Sequence, residues 1–248
     1  LIVYELVDTK INSEDTIKRL TELPIMGRIL NKKAKKNVVV KSGDRSAINE
    51  MFRQLRTNLN YLNFKNKKQV FAITSYTSGE GKSFVALNLA LTYSLSNKKT
   101  LLLGLDLRKP KLNDYIGLPT SDHGVTSYLI GECELSEIIQ SYHDLDFISS
   151  GPIPPNPSEL ISSDRMEQLL QILSAKYDCI IIDSPNSSPR EKVEVELAEE
   201  DHEDQIPSRS GRFPKGLTSL HRLGKYSKKN SPVAEVPTPT VAVVALVT

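Results

Sequence analysis

An α/β fold, with a mainly parallel sheet flanked by helices, is what this sequence predicts, and three stretches predict it. Residues 69–90, QVFAITSYTSGEGKSFVALNLA, pass from a short apolar run through small residues into a helical pattern. Residues 100–105 form a second apolar run that leads into Asp106. Residues 177–183, YDCIIID, form a third that ends in Asp183. Apolar runs of strand length separated by helical patterns imply βαβ units, and therefore parallel pairing.

The first stretch organises the others. Val70, Phe71, Ala72 and Ile73 are apolar, partly β-branched and bounded by polar residues, the pattern of a buried strand. Phe84, Leu87, Leu91 and Leu95 recur at helical spacing. Between strand and helix stand Ser78, Gly79, Glu80, Gly81, Lys82 and Ser83. Glycines there let backbone N–H groups turn toward one point, and the helix N-terminus adds its positive dipole end. Lys82 brings a full charge, and Ser83 offers a hydroxyl to Mg²⁺. Residues 78–84, from Ser78 to Phe84, are thus expected to cradle phosphates, and the fold becomes P-loop NTPase-like. The general pattern wants Gly where Tyr76 stands, so an ordinary glycine-rich strand–helix turn is the alternative.

Composition narrows the class. A net charge of +2 gives no pointer to nucleic acid. Cys133 and Cys179 are far apart and lack a CxxC partner, and the four histidines are scattered, so neither a disulfide framework nor a zinc site is indicated. Cys179 reads as a core thiol, and a reducing compartment fits. No run reaches the ~18 apolar residues of a membrane helix. The chain starts without Met and reads as a fragment; its apolar opening is either the trailing edge of a membrane helix or a first strand.

In chain order, residues 12–23 predict a short helix capped by Asn12 or Ser13 and followed by Pro24. Residues 24–30 read as a strand. Residues 31–36 carry four lysines, either a solvated loop or a contact with an anionic membrane surface. Residues 46–62 predict a helix with Ile48, Phe52, Leu55, Leu59 and Leu62 on one face. Glu50, Arg53 and Arg56 share a neighbouring face, as a solvent-exposed charge ladder or as a surface for a second subunit. Asp106 and Asp183, at two strand ends beside the P-loop strand, lie where doubly wound folds bind ligands and are placed to hold or orient Mg²⁺.

Further on, short helices are expected over 124–130 and 135–139, a strand over 145–149, and a stiff loop over 151–157. Ser158, Glu159 and Leu160 open the next helix. Asp164 is expected to cap another that runs to Ala175, with Met166, Leu169, Leu170 and Leu173 inward. An acidic block (191–204) and a basic one (209–229) follow, without a sustained apolar period; such composition predicts disorder over 187–239. The core is then expected to end near Pro185, with 240–247 as a short strand.

With these motifs in place, residues 12–185 resemble the cytoplasmic kinase domain of the bacterial tyrosine kinases that accompany the Wzz-type polysaccharide co-polymerases. The motifs are SYTSGEGKS at 75–83, LLLGLDLRKP at 101–110, GPIPPNPSEL at 151–160, IIIDSP at 180–185, and the Glu50/Arg53/Arg56 ladder. The family also lacks the first P-loop Gly, and Ser78 replaces its Pro. Thr77 is not the extra Lys of ParA/MinD ATPases.

The resemblance implies ATP and Mg²⁺ as cofactors and transfer of the γ-phosphoryl group to tyrosine, usually on a neighbouring copy. Lys82, Asp106 and Asp183 would be catalytic, Ser78 to Phe84 would bind nucleotide, and Ser83, Asp106 and Asp183 would hold the metal. Glu50, Arg53 and Arg56 would form the homo-oligomer interface. It implies a juxtamembrane lead-in over 1–40, a kinase core over 41–186, a membrane-embedded co-polymerase partner, and a place on the cytoplasmic face of the bacterial inner membrane, in capsule or exopolysaccharide export. Two departures stand out: Gly104 replaces the first Asp of the family's Asp-x-Asp-x-Arg, and the tail offers only Tyr226 where the family has a tyrosine cluster. They leave open a non-catalytic ATP-binding oligomerisation module, or a MinD/ParA-like ATPase.

Overall fold

The computed structural model describes residues 15, 17–18, 24–29, 37–62, 68–75, 78–186 and 241–246. Among them, strands β1 (Gln69–Ser75), β2 (Thr100–Gly104), β3 (Gln140–Tyr142), β4 (Leu145–Ile148), β5 (Cys179–Asp183) and β6 (Val241–Leu246) form one sheet. Its order is β3-β4-β2-β5-β1-β6. All pairings are parallel except β3 with β4. The helices are α1 (Ala47–Leu62), α2 (Lys82–Ser94), α3 (Leu112–Ile116), α4 (Val125–Ile130), α5 (Leu135–Ile138), α6 (Pro157–Ile161) and α7 (Asp164–Lys176).

Strand alternation sorts the core into two layers. Phe71, Ile73, Leu102 and Ile181 point to one face and pack with α1, α2 and α3. Val70, Leu101, Leu103, Ile180 and Ile182 point to the other and pack with α4, α5 and α7. A strand buried on both faces must be apolar at every position, which explains the isoleucine run of β5. Each buried isoleucine there contributes about 2 kcal/mol of transfer free energy. Cys179 is fully buried, and burial pushes its thiol pKa up, so it is a core thiol.

Helix α2 is sheathed by protein almost throughout: its buried positions run from Val85 to Ser94 without a break. It packs between α1 and the sheet, so its helical spacing does not define a single apolar stripe, and Leu95 just beyond its end is 43% exposed. Phe52, Leu55 and Leu59 of α1 are buried as expected.

Several expectations need correction. Residues 24–29 form no strand. The main-chain oxygen of Met26 accepts a hydrogen bond from Asn58 Nδ2 (2.7 Å), and Met26 and Ile29 pack against the α1 layer, so an irregular segment meets its polar needs through a side chain. Ser163, not Asp164, caps α7, its hydroxyl accepting from the Met166 N–H. Asp164 instead sits in the first turn, where its charge suits the dipole. Leu170 is only partly buried. The hairpin strand β3 and the short helix α3 were not foreseen. The expected strand near the C-terminus is present as β6, parallel to β1 from Val70–Val241 to Ser75–Leu246, so the sheet does not end at Pro185. Residues 187–240 lie outside the described residues, as do Tyr76, Thr77, the four lysines of 31–36 and most of 12–23.

Candidate phosphate site

Three adjacent strands, β2, β5 and β1, deliver the site. β1 and β2 are consecutive in sequence, yet β5 lies between them, so their carboxyl ends diverge and leave a crevice. Backbone bonds continue past the strand ends and fix what protrudes. The Leu105 N–H donates to the Asp183 oxygen (2.9 Å) and the Ser184 N–H to the Ile73 oxygen (3.2 Å). Ser150 Oγ reaches the main-chain oxygens of both Gly104 (3.1 Å) and Asp106 (3.2 Å).

The turn before α2 has the conformation its glycines allow. Gly79 and Gly81 have φ of +96° and +95°, in the left-handed region where a side chain would strain the backbone. Nothing lies within 4 Å of where a Cβ would stand on either, so the turn opens onto free space. Gly81 is the N-cap of α2 and supplies no side-chain cap. The N-cap residue thus takes none of the first-turn N–H groups, which suits an anion there.

Ser78, Gly79, Gly81, Lys82, Ser83 and Asp106 line the resulting cleft, bringing together most of the residues read from the sequence. Asp183 lies beneath them, 3% exposed. The Ser83 hydroxyl neighbours its carboxylate, while Asp183 Oδ1 is buried without a hydrogen-bond partner. Burial lifts the Asp183 pKa from 3.8 to about 6; the Ser83 hydroxyl and the Lys82 charge pull it down, and Asp106 adds to the rise. A buried carboxylate oxygen without a donor, next to a hydroxyl and a second carboxylate, is suited to a hydrated divalent cation, directly or through water. Among the described residues no group of three His, Cys, Asp or Glu could hold a metal ion.

Other expected residues sit differently. The Phe84 side chain turns inward, its ring 6.0 Å from that of Phe52, so only its backbone belongs to the turn. Lys82 Nζ bonds Asn186 Oδ1, a partner just past β5 that the sequence reading missed. Lys109, Lys111 and Tyr115 also line the cleft and were missed. The signal for the lysines was present, since Lys-Pro-Lys at 109–111 follows Asp106 after only two residues. Burial first, and the Asp183 charge second, push the Tyr115 phenol pKa up.

Gly104 is the direct register partner of Asp183 on β5. A Cβ built there would meet Ser150 Oγ at 3.3 Å, and the Ile148 oxygen and Leu112 Cδ2 at 3.4 Å. A side chain fits if these neighbours give by a few tenths of an ångström.

The Glu50, Arg53 and Arg56 ladder is split. Arg53 pairs with Glu50 at 2.9 Å and also bonds the Asp44 oxygen. Arg56 donates to the Thr92 oxygen at 2.8 Å, near the C-terminal end of α2, where a cation is favoured. Arg56 therefore ties α1 to the phosphate helix within one chain.

No protein-family model matches the chain. Individual proteins do. The chain is 38% identical over 152 residues to the tyrosine-protein kinase YwqD of Bacillus subtilis, covering 60% of this chain and 64% of that one. It is 37% identical over 138 residues to the tyrosine-protein kinase etk of Escherichia coli K12, covering 55% of this chain and 19% of the relative. Against the solved BceF tyrosine kinase domain the identity is 30%, with TM-score 0.62, over 73% of this chain and 78% of that chain. The chain belongs to the bacterial tyrosine kinase family. It spans less than two thirds of the Bacillus kinase and about a fifth of the E. coli one.

Proposed function

We propose that this chain is an ATP-dependent protein-tyrosine kinase domain with weak phosphotransfer, acting on tyrosines of a neighbouring copy in capsule or exopolysaccharide polymerisation and export. The observation that carries the reading is the buried Asp183 carboxylate, one oxygen without a partner, behind the Gly79–Gly81 turn. Lys82 and the backbone of 79–83 would hold phosphates; Ser83 and Asp106 would hold Mg²⁺, and Asp183 would orient it. Bound there, the cation would offset charge on the phosphate oxygens. Phosphoryl transfer depends mainly on positioning and charge stabilisation, which these residues supply.

The core of this function is residues 41–186, with residues 1–40 as lead-in from a membrane-embedded co-polymerase region of the same or a partner chain. This places the domain at the cytoplasmic face of the inner membrane. Among the described residues no helix is long and apolar enough to cross a membrane. A homo-oligomer would form along α1, using Glu50 and Arg53, while Arg56 stiffens α1 against α2.

A second reading, a non-catalytic ATP-binding assembly module, is favoured by Gly104, which withholds a carboxylate from the cross-strand position beside Asp183. Phosphotyrosine formation with Mg·ATP separates the two. Weak labelling by the unmodified chain, rising at least about tenfold in Gly104→Asp, supports the kinase, since general-base catalysis contributes ~10²–10⁴. Nucleotide binding without labelling in either form supports the assembly module.

A further inference from the structure

The cleft holds more positive charge than the P-loop lysine supplies. We propose that Lys109 and Lys111 form a second cationic wall of the phosphate cradle and recognise the terminal phosphoryl group of a nucleoside triphosphate, so that they favour ATP over ADP. This rests on the nucleotide-binding reading above and adds residues to it.

Both lysines line the same cleft as Lys82, Ser83 and Asp106. Neither is used in holding the fold. The main chain makes the hydrogen bonds at Lys109 and Lys111, so both ammonium groups remain available to a ligand. The hydrogen bond at Lys109 is made by its main-chain N–H, to Asp106 Oδ1 at 3.0 Å. Lys111 is the N-cap of α3 and makes no side-chain cap, as a side chain without an acceptor must.

The segment carrying them is anchored at both ends. Asp106 Oδ1 pins its start. At its far end Leu112 and Asn113 are buried, and Asn113 Nδ2 donates to the Pro119 oxygen at 2.7 Å. Pro110 between the two lysines fixes its own φ and restricts Lys109 before it. Two exposed side chains are thus presented from an anchored backbone, on the Asp106 side of the cleft.

Charge supports the assignment. Against ionised Asp106 and Asp183, Lys82 alone would leave the cleft one charge negative, which disfavours a polyanion. With Lys109 and Lys111 it becomes one charge positive. The glycine turn and Lys82 are placed for the phosphate chain, while the Asp106 side is where a metal bridging the last two phosphates belongs. Cations on that side gain most from the extra charge that ATP carries over ADP.

Calorimetry with Mg²⁺ and either ADP or the β,γ-imido analogue of ATP tests this, using the whole chain. Lys109→Ala/Lys111→Ala should weaken the triphosphate by about tenfold or more and ADP by about threefold at most, since each lost charge-assisted contact is worth roughly a factor of ten. Lys109→Arg/Lys111→Arg should restore most of the preference. Lys41→Ala, which removes an exposed charge elsewhere, should change neither. Equal affinities in wild type and double alanine variant, or equal loss for both nucleotides, would overturn the lysine assignment alone. A wild-type chain that binds neither nucleotide would overturn the nucleotide reading, and this one with it.

Discussion

Asp183→Asn should make the metal-free chain more stable at pH 8, by about 3 kcal/mol, while removing the ability of Mg²⁺ to tighten nucleotide binding. The stability gain follows from a pKa raised from 3.8 to about 6 in the folded chain. Two units correspond to about 3 kcal/mol between protonation states. The sign is that of a buried acid: the folded chain binds the proton more tightly than the unfolded one. Below about pH 4 the carboxyl is protonated in both states and costs nothing; as pH rises toward 6 stability falls, and above that the full cost stays. The amide keeps an oxygen for Ser83 and carries no charge to desolvate. Urea denaturation at pH 4 and pH 8 measures it, with the wild type losing stability over this window and the variant keeping it. Equal stability at pH 8 would mean that the buried charge is already compensated. A residue that weakens the fold and can receive a cation is more readily explained by function than by folding.

Asn88→Ala should cost about 3 kcal/mol, a large effect for a residue that touches no ligand. Asn88 is fully buried in α2, and its side chain meets four partners. Oδ1 accepts from the N–H groups of Val39 (2.9 Å) and Val40 (3.1 Å). Nδ2 donates to the oxygens of Asn37 and Phe84, both at 2.8 Å. Truncation leaves up to three main-chain groups of the lead-in without partners, at roughly 1–3 kcal/mol each where burial is complete and less where water enters. The urea midpoint should fall with the slope nearly unchanged, and a drop under about 1 kcal/mol would mean that the lead-in detaches harmlessly. Because Asn88 lies on the helix that begins at Lys82, it links residues 37–40 mechanically to the phosphate turn.

What could be read in the sequence were features in which chemistry and local pattern coincide. The glycine turn is written in Gly79, Gly81 and Lys82, and β5 in three isoleucines ending in Asp183. β6 is an apolar run, but its partner β1 lies far upstream, so its place at the sheet edge is a long-range fact. β3 escaped because three residues, Gln140, Ser141 and Tyr142, at a sheet edge carry no alternation. The strand expected over 24–30 is absent from its described part, 24–29, where the Met26 carbonyl is satisfied by an asparagine on α1. Arg56 looked like part of an exposed ladder, and only the approach of α1 to α2 shows that it reaches Thr92. Lys111 is one of many lysines in the sequence; its place opposite Lys82 comes from the fold of the β2–α3 connection.

The central claim is that this turn binds the phosphates of Mg·ATP, and calorimetry on wild type and Lys82→Met tests it most directly. Methionine keeps much of the side chain's length but removes the charge, so binding should weaken by at least about tenfold, with the fold intact by circular dichroism. Equal affinity in the two proteins would contradict the assignment of residues 78–84 as a phosphate cradle.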